Sequence, residues 1–185
     1  MRDATATQER LLLAARRRFA AQGFERTTVR EIADDAGVNV ALINRYFGGK
    51  DDLFAQAVAI DLQLPDLSAV PPERIGTRLV EHFFRRWEGE PADDLLRVLV
   101  RTAATHPAAA ARVVDIFNNQ VRPLVAVLAG EGEAAQRASL VATQVLGLAY
   151  CRYVLSLGAN ELTLASTRFI IGETIQRYLF APLEA

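Results

Sequence analysis

Cysteine, lysine and histidine are nearly absent from this chain. The single cysteine, Cys151, excludes an internal disulfide and suits a reducing compartment. Placed in an apolar stretch, it reads as an inert core residue, with redox sensing as the other reading. The two histidines, His82 and His106, come with no phosphate-binding glycine loop and no metal-ligand spacing. That inventory leaves little for an enzyme to work with, and no catalytic residue, metal or cofactor is expected. His106 precedes a proline and reads as a turn residue. No run approaches the roughly 20 apolar residues of a membrane span, and Arg152 interrupts the most hydrophobic region. The start, Met1-Arg2-Asp3-Ala4-Thr5, lacks the apolar segment of a signal peptide. A cytoplasmic protein without a membrane partner is the expectation. Sustained period-two alternation is missing too, so the expected fold class is all-α.

What is present is a chain of 185 residues, 51% hydrophobic, enough for a core and for one small domain plus a larger one. Net charge is −1, which by itself does not suggest nucleic acid. Its distribution says more: residues 1–50 carry 9 basic and 6 acidic side chains, residues 51–185 carry 12 and 16. The first segment is therefore the positive one. Lys50 is the only lysine; the other 20 basic residues are arginine.

Within the positive segment, Thr28 followed by Glu31 fits a capping box. Val29, Ile32, Ala33 and Ala36 recur at helical spacing. Gly37 should stop that helix in the left-handed conformation, and Val38 can plug the angle to the next one. Asn39 is a good N-cap for a helix whose Ile43 and Phe47 face inward. Val40, Ala41, Asn44 and Arg45 are then left facing out. Two short helices around a glycine turn describe a helix-turn-helix, which lays its second helix in the major groove. A plain helical hairpin is the bland alternative. Upstream, Arg10 to Gly23 reads as an amphipathic helix with Leu11, Leu12, Ala15 and Phe19 along its stripe. Arg16, Arg17 and Arg18 fan around it and cannot all face one partner.

The first 55 or so residues resemble the TetR/AcrR family of bacterial transcriptional regulators. The resemblance is carried by Leu11-Leu12-Leu13-Ala14-Ala15, Phe19, Gly23-Phe24, Thr27-Thr28-Val29-Arg30-Glu31-Ile32-Ala33, Ala36-Gly37-Val38 and Tyr46-Phe47-Gly48-Gly49-Lys50-Asp51-Asp52-Leu53-Phe54. It implies a three-helix DNA-binding domain over 1–49 and a helical effector-binding and dimerisation domain over 50–185, about nine helices in all. It also implies phosphate contacts from Thr28, Tyr46 and Lys50, which set register without reading sequence. The chain departs from the family pattern at Leu42 and Asn44, where threonine and tyrosine are common, and at Gly49, where serine often caps the fourth helix. Asn44 could instead pair with an adenine edge. Arg45 could take either a guanine or a phosphate, and Val40 or Ala41 a thymine methyl. The expected DNA-binding set, with Asn39 at the helix start, is Thr28, Asn39, Val40, Ala41, Asn44, Arg45, Tyr46 and Lys50.

The remainder reads as helical throughout. A fourth helix is expected from about Lys50 to Leu64, a loop at Pro65, Pro71 and Pro72, and a helix from Arg74 to Trp87. Another should open at Pro91. An alanine-rich helix after Pro107 should be kinked or split by Pro123, and two long helices should span about 133–157 and 161–180. Leu140 to Leu157 is apolar almost all round and must be buried on every side, either within one chain or partly against a copy. The resemblance implies a homodimer through the last two helices, with Val141, Val145, Leu148, Leu155, Phe169 and Ile175 as candidate contacts, and Gly147 and Gly172 permitting close approach. In the middle helices, His82, Phe83, Phe84, Trp87, Arg101, Phe117, Asn118 and Gln120 offer aromatic walls with a few polar groups, the mix found in ligand sites. Ordinary core is the competing reading for most of them. The candidate effector residues are Phe83, Phe84, Trp87, Arg101, Phe117 and Asn118, the effector being a lipophilic small molecule. The function expected is a ligand-responsive regulator, a repressor by family default, that binds a pseudo-palindromic operator. An enzyme and a helical binding protein whose helix-turn-helix no longer engages DNA are the rivals.

Overall fold

The computed structural model describes residues 2–89, 94–158 and 160–183. The fold is all-α, with no strand among the described residues. The chain forms two compact units. The first comprises the described residues of 1–60 and 90–113, the second those of 61–89 and 114–185.

The first unit holds α1 (Arg2–Arg26), α2 (Val29–Ala36), α3 (Ala41–Phe47), α4 (Lys50–Ala57), α6 (Asp94–Ala103) and most of α7 (Pro107–Ile116). α1 begins well upstream of Arg10, and Gly23 breaks its helical path at φ 78°. Leu11, Ala15 and Phe19 are buried, as the stripe predicts. The phenyl rings of Phe19, Phe24 and Phe54 pack together, Phe54 edge-on to the other two at 5.0 and 4.9 Å. α4 stops after Ala57 and does not reach Leu64. Its last carbonyls would otherwise be orphaned. Arginine side chains satisfy two of them: Arg112 Nε donates to Ala55 O at 2.7 Å and Arg16 Nε to Ala57 O at 3.1 Å. The helix start expected at Pro91 lies outside the described residues.

The second unit holds α5 (Ile75–Glu88), α8 (Arg122–Ala129), α9 (Ala134–Ala149), the short α10 (Leu164–Thr167) and α11 (Ile170–Phe180). Two π turns interrupt the regular helices, at Phe117–Val121 and Tyr150–Val154. The first precedes Pro123, which lacks the N–H that an α-helix would give to Asn119. The Arg122 N–H reaches back to Phe117 O, so the expected split falls at this π turn, between α7 and α8. The final helix expected over 161–180 is two pieces, because a capping box at Thr163 and Ser166 starts α10 and α11 starts at Ile170.

α5 and α11 pack closely because glycine faces glycine at Gly76 and Gly172. Beside this crossing, Gln176 Oε1 accepts from Gly76 N at 2.8 Å and its Nε2 donates to Pro72 O at 2.7 Å. Gly172 thus allows a close approach inside one chain, whereas Gly147 has open space around it. Arg137, buried on α9, donates to Tyr178 O at 2.8 Å and Ala181 O at 2.9 Å. Its guanidinium thereby closes the end of α11 while pairing with Glu133 one turn back.

Candidate nucleic-acid interface

α2 opens with the expected capping box. Glu31 N donates to Thr28 Oγ1 at 3.2 Å, and Thr28 N donates to Glu31 Oε2 at 2.8 Å. The Thr28 hydroxyl also donates to Glu31 Oε2 at 2.8 Å. These bonds hold the Glu31 carboxyl below the usual range, the Thr28 backbone N–H being the largest cause. Ile32, Ala33 and Ala36 are buried. Gly37, left-handed at φ 64° and ψ 41°, ends the helix with its N–H on the Ala33 and Asp34 carbonyls. Arg18 Nη2 donates to Asp35 Oδ1 at 2.7 Å, tying α1 to α2. This pairing lowers the Asp35 carboxyl and raises the Arg18 guanidinium. Of the three successive arginines, Arg16 holds α4, Arg18 holds α2 and Arg17 is exposed.

α3 starts one residue later than the sequence places it: Val40 stands at its N-cap, without a side-chain cap bond. Asn39, just before it, turns its Oδ1 back to accept from Ala41 N at 2.8 Å, and Leu42 N and Ile43 N donate to Asn39 O and Val40 O, both at 3.0 Å. Ile43 and Phe47 are buried. Asn39, Val40, Ala41, Asn44 and Arg45 are all exposed, on the face opposite that core. The Arg45 guanidinium lies 5.8 Å from the centre of the Tyr46 ring. Leu42 is half-buried, so a hydrophobic side chain at this departure from the family pattern covers part of the core edge.

Between α3 and α4, Gly49 has φ 154° and ψ −168°, a region L side chains rarely adopt. A serine there would be strained, which accounts physically for glycine at that cap. Lys50 then opens α4. Its Nζ stands 4.2 Å from the centre of the Phe24 ring and donates to Glu25 O at 3.4 Å. Asp51 and Asp52 occupy the first turn, where carboxylates suit the helix dipole. Asp51 Oδ1 meets His106 Nε2 at 3.1 Å, and the His106 ring packs on Phe24 at 4.2 Å. His106 does sit before a proline at a helix start, but it also joins the α6–α7 connection to α4. Arg30 is exposed in the first turn of α2, where a cation works against the helix dipole.

The expected effector residues separate into groups. Phe83, Phe84 and Trp87 are buried on α5, and Phe83 and Trp87 pack against Tyr153. Trp87 stacks on Tyr153 at 5.1 Å and 9° and on Phe83 at 5.5 Å. Phe84 meets Phe83 edge-on at 5.4 Å. Arg152 Nη2 and Nε donate to Glu88 Oε1 at 2.6 and 3.0 Å, and the Tyr153 hydroxyl donates to the same oxygen at 3.0 Å. Burial above all pushes the Tyr153 phenol up to about 12, so it remains a donor. Tyr153, Arg152 and Glu88 were missed as a group because they lie about 65 residues apart in sequence. Phe117 is half-buried and Asn118 exposed, both in the first π turn and outside the stack. Arg101 belongs to the first unit, with Nη2 3.7 Å from where a Cβ on Gly23 would stand.

His82 is buried on α5. Its Nε2 meets Leu62 O at 3.0 Å and its Nδ1 meets Arg85 Nη2 at 3.1 Å. A carbonyl on one side and a guanidinium on the other fix the neutral tautomer with hydrogen on Nε2. Gln120 Oε1 accepts from Leu62 N at 2.8 Å, so both polar groups of Leu62 are held.

The six expected dimer contacts also divide. Val141, Leu148 and Ile175 are buried within a single chain, in the second unit's own core. Val145 is half-buried. Leu155 and Phe169 are exposed, at 58% and 56%. Leu146 and Gly147 on α9, Tyr150 in the π turn that follows, and Ile170 and Phe180 on α11 are exposed as well. A helix apolar all round carries no phase, so the sequence alone did not separate the buried side chains of α9 from the exposed ones.

Among the described residues, no helix is long and apolar enough to cross a membrane, and no cluster of three or more His, Cys, Asp or Glu could hold a metal ion. The sequence model of bacterial regulatory proteins of the tetR family matches residues 11–57. That of the tetracyclin repressor-like C-terminal domain matches residues 73–179. No curated protein matches significantly. Solved structures do. A transcriptional regulator from Rhodococcus sp. Rha1 is 25% identical with a TM-score of 0.67, over 93% of this chain and 95% of that one. NalD, the secondary repressor of the MexAB-OprM multidrug efflux pump in Pseudomonas aeruginosa, is 18% identical with a TM-score of 0.65, over 98% and 99%. The multidrug binding protein EbrR, complexed with proflavin, is 17% identical with a TM-score of 0.66, over 93% and 99%.

Proposed function

The chain belongs to the TetR family of bacterial regulatory proteins, a family of DNA-binding regulators and not of enzymes, and from that premise we propose that it is a cytoplasmic, homodimeric repressor released from its operator by a small organic molecule. The observation that carries this reading is the outer face of α3. Asn39, Val40, Ala41, Asn44 and Arg45 are exposed together on a helix whose inner face, Ile43 and Phe47, is buried. Asn44 and Arg45 have the chemistry to read adenine and guanine edges, and Val40 and Ala41 to touch thymine methyls. Tyr46, Lys50 and Thr28 flank them as phosphate contacts. The N–H groups of Val29 and Arg30 at the start of α2 add donors suited to an anion.

Residues 1–49 would read DNA, and 50–185 would bind the effector and pair two copies. The exposed apolar side chains of α9 and α11 suit a two-fold contact. Such a dimer reads a pseudo-palindrome with half-sites about 34–36 Å apart, or a multiple of a helical turn. Phe83, Phe84 and Trp87 are the effector residues that this reading retains. EbrR, with bound proflavin, supports a lipophilic aromatic effector. Effector binding acts by favouring a dimer geometry that no longer fits both half-sites.

The test is fluorescence anisotropy against DNA flanking the protein's own gene, with scrambled competitor and at two salt concentrations. Tight binding that survives competitor and moderate salt supports a specific operator. Binding that vanishes with salt reports phosphate contacts alone and counts against a specific operator in that DNA. The double variant Asn44→Ala, Arg45→Ala should lose operator discrimination while keeping its fold. An unchanged DNA response would sink the regulator reading.

A further inference from the structure

Glu88 is the last residue of α5, where the carbonyl end of a helix disfavours a carboxylate. Its side chain remains 42% exposed. One oxygen, Oε1, accepts from Arg152 Nε, Arg152 Nη2 and the Tyr153 hydroxyl. The same guanidinium stands 5.6 Å from the centre of the Phe84 ring and 5.4 Å from that of Tyr153. A carboxylate beside two aromatic rings is what a receptor for a flat, delocalised cation presents. Here that place is filled by the chain's own planar cation.

Resting on the effector reading, we propose that Glu88, Phe84 and Tyr153 form a binding site for flat organic cations (arylguanidinium, amidinium or aromatic ammonium compounds), occupied by Arg152 until such a compound displaces it. The exchange keeps the charge balance at the carboxylate: one cation leaves Glu88 as another arrives. A neutral compound that displaced Arg152 would strand the carboxylate at a helix C-terminus, so the site selects for charge as well as shape. Arg152 and Tyr153 lie in the π turn Tyr150–Val154, and two residues beyond it Ser156 is left-handed at φ 55°. That irregular stretch ends α9, which carries part of the exposed apolar face, so displacement of Arg152 acts on the element that leads into that face.

Trp87 is the only tryptophan and stacks on Tyr153, so in the folded chain selectively excited tryptophan fluorescence reads the surroundings of this stack. The full chain is titrated with phenylguanidinium and, separately, with phenylurea, which has nearly the same shape without the charge. The expected result is a saturable change with phenylguanidinium and binding of phenylurea at least about tenfold weaker. Glu88→Gln should weaken phenylguanidinium by about tenfold or more, and Arg152→Gln, freed of the resident cation, should bind it several-fold more tightly. Equal binding of the two probes, or a Glu88→Gln affinity equal to the natural one, or no gain in Arg152→Gln, overturns the site. Should Glu88→Gln fail to fold by circular dichroism, the two probes and Arg152→Gln decide. Operator binding, measured without probe, separates this site from the broader reading. Cation binding without operator binding keeps the site and removes the regulator, whereas operator binding without cation binding removes the site alone.

Discussion

Gly76 and Gly172 touch through bare backbone: a methyl group added to Gly76 would stand 2.1 Å from Gly172 O, and one added to Gly172 would stand 2.9 Å from Thr77 Cα. Backbone cannot swing aside as a side chain can. Gly76→Ala and Gly172→Ala should each cost about 2–3 kcal/mol, the upper part of the range for overpacking. For a chain of this size that lowers the melting temperature by roughly 5–10 °C. Circular dichroism melts measure it, and Gly132→Ala, in an exposed turn with open space around it, is the control that should not lower the melting temperature.

Arg137 is the second structural prediction. It is buried while its partner Glu133 is exposed, and it closes the α11 terminus through Tyr178 O and Ala181 O. Arg137→Met keeps the apolar stem and removes every donor. The loss should be about 2–3 kcal/mol, the scale of hydrogen bonds made by a charged group. Urea unfolding read at Trp87 measures it, and a midpoint equal to that of the natural protein would show that the latch contributes nothing.

On the DNA side, the residues should separate by kind of contact. Lys50→Ala should weaken binding about equally for all sequences and reduce the salt slope by about one. Arg45→Ala should cost roughly 1–3 kcal/mol on the right operator and relax preference at one base pair, if Arg45 reads a guanine. A loss uniform over all base pairs would place Arg45 on phosphate. A panel of single-base operator variants at two salt concentrations distinguishes the two.

His82 gives the pH dependence. Burial pushes its imidazole below the ordinary value of 6.5; the Leu62 carbonyl opposes this, and Arg85, Arg86 and Arg78 add to the lowering. The folded chain therefore binds this proton less tightly than the unfolded chain. The contribution to stability is full above pH about 7.5 and declines as pH falls through the unfolded value of about 6.5. Melting temperatures between pH 7.5 and 5.5 should fall more steeply for the natural protein than for His82→Gln. Parallel curves for the two would contradict the neutral, Nε2-protonated assignment.

Features written in short-range chemistry were legible in the sequence. Thr28 with Glu31, the left-handed Gly37, the turn that Asn39 makes just before α3, and the inward Ile43 and Phe47 each depend on neighbours a few residues away. The end of α4 was not legible, because the arginines that take its carbonyls lie 41 and 57 residues off. Nor was the partition of Val141, Leu148 and Ile175 into the core, since α9 and α11 offer apolar side chains in every direction. The aromatic group was legible only on α5. Tyr153, which completes it, comes from a π turn that shifts the helical register.

Lys50 also bears on how quickly and tightly a complex can form. A lysine free in water surrenders up to about 2 kcal/mol of rotational freedom when its ammonium is fixed on a phosphate. Here the Phe24 ring and Glu25 O already restrain that ammonium in the unbound chain. The proposed anchor is preorganised, and the entropy of ordering it belongs to folding and not to recognition.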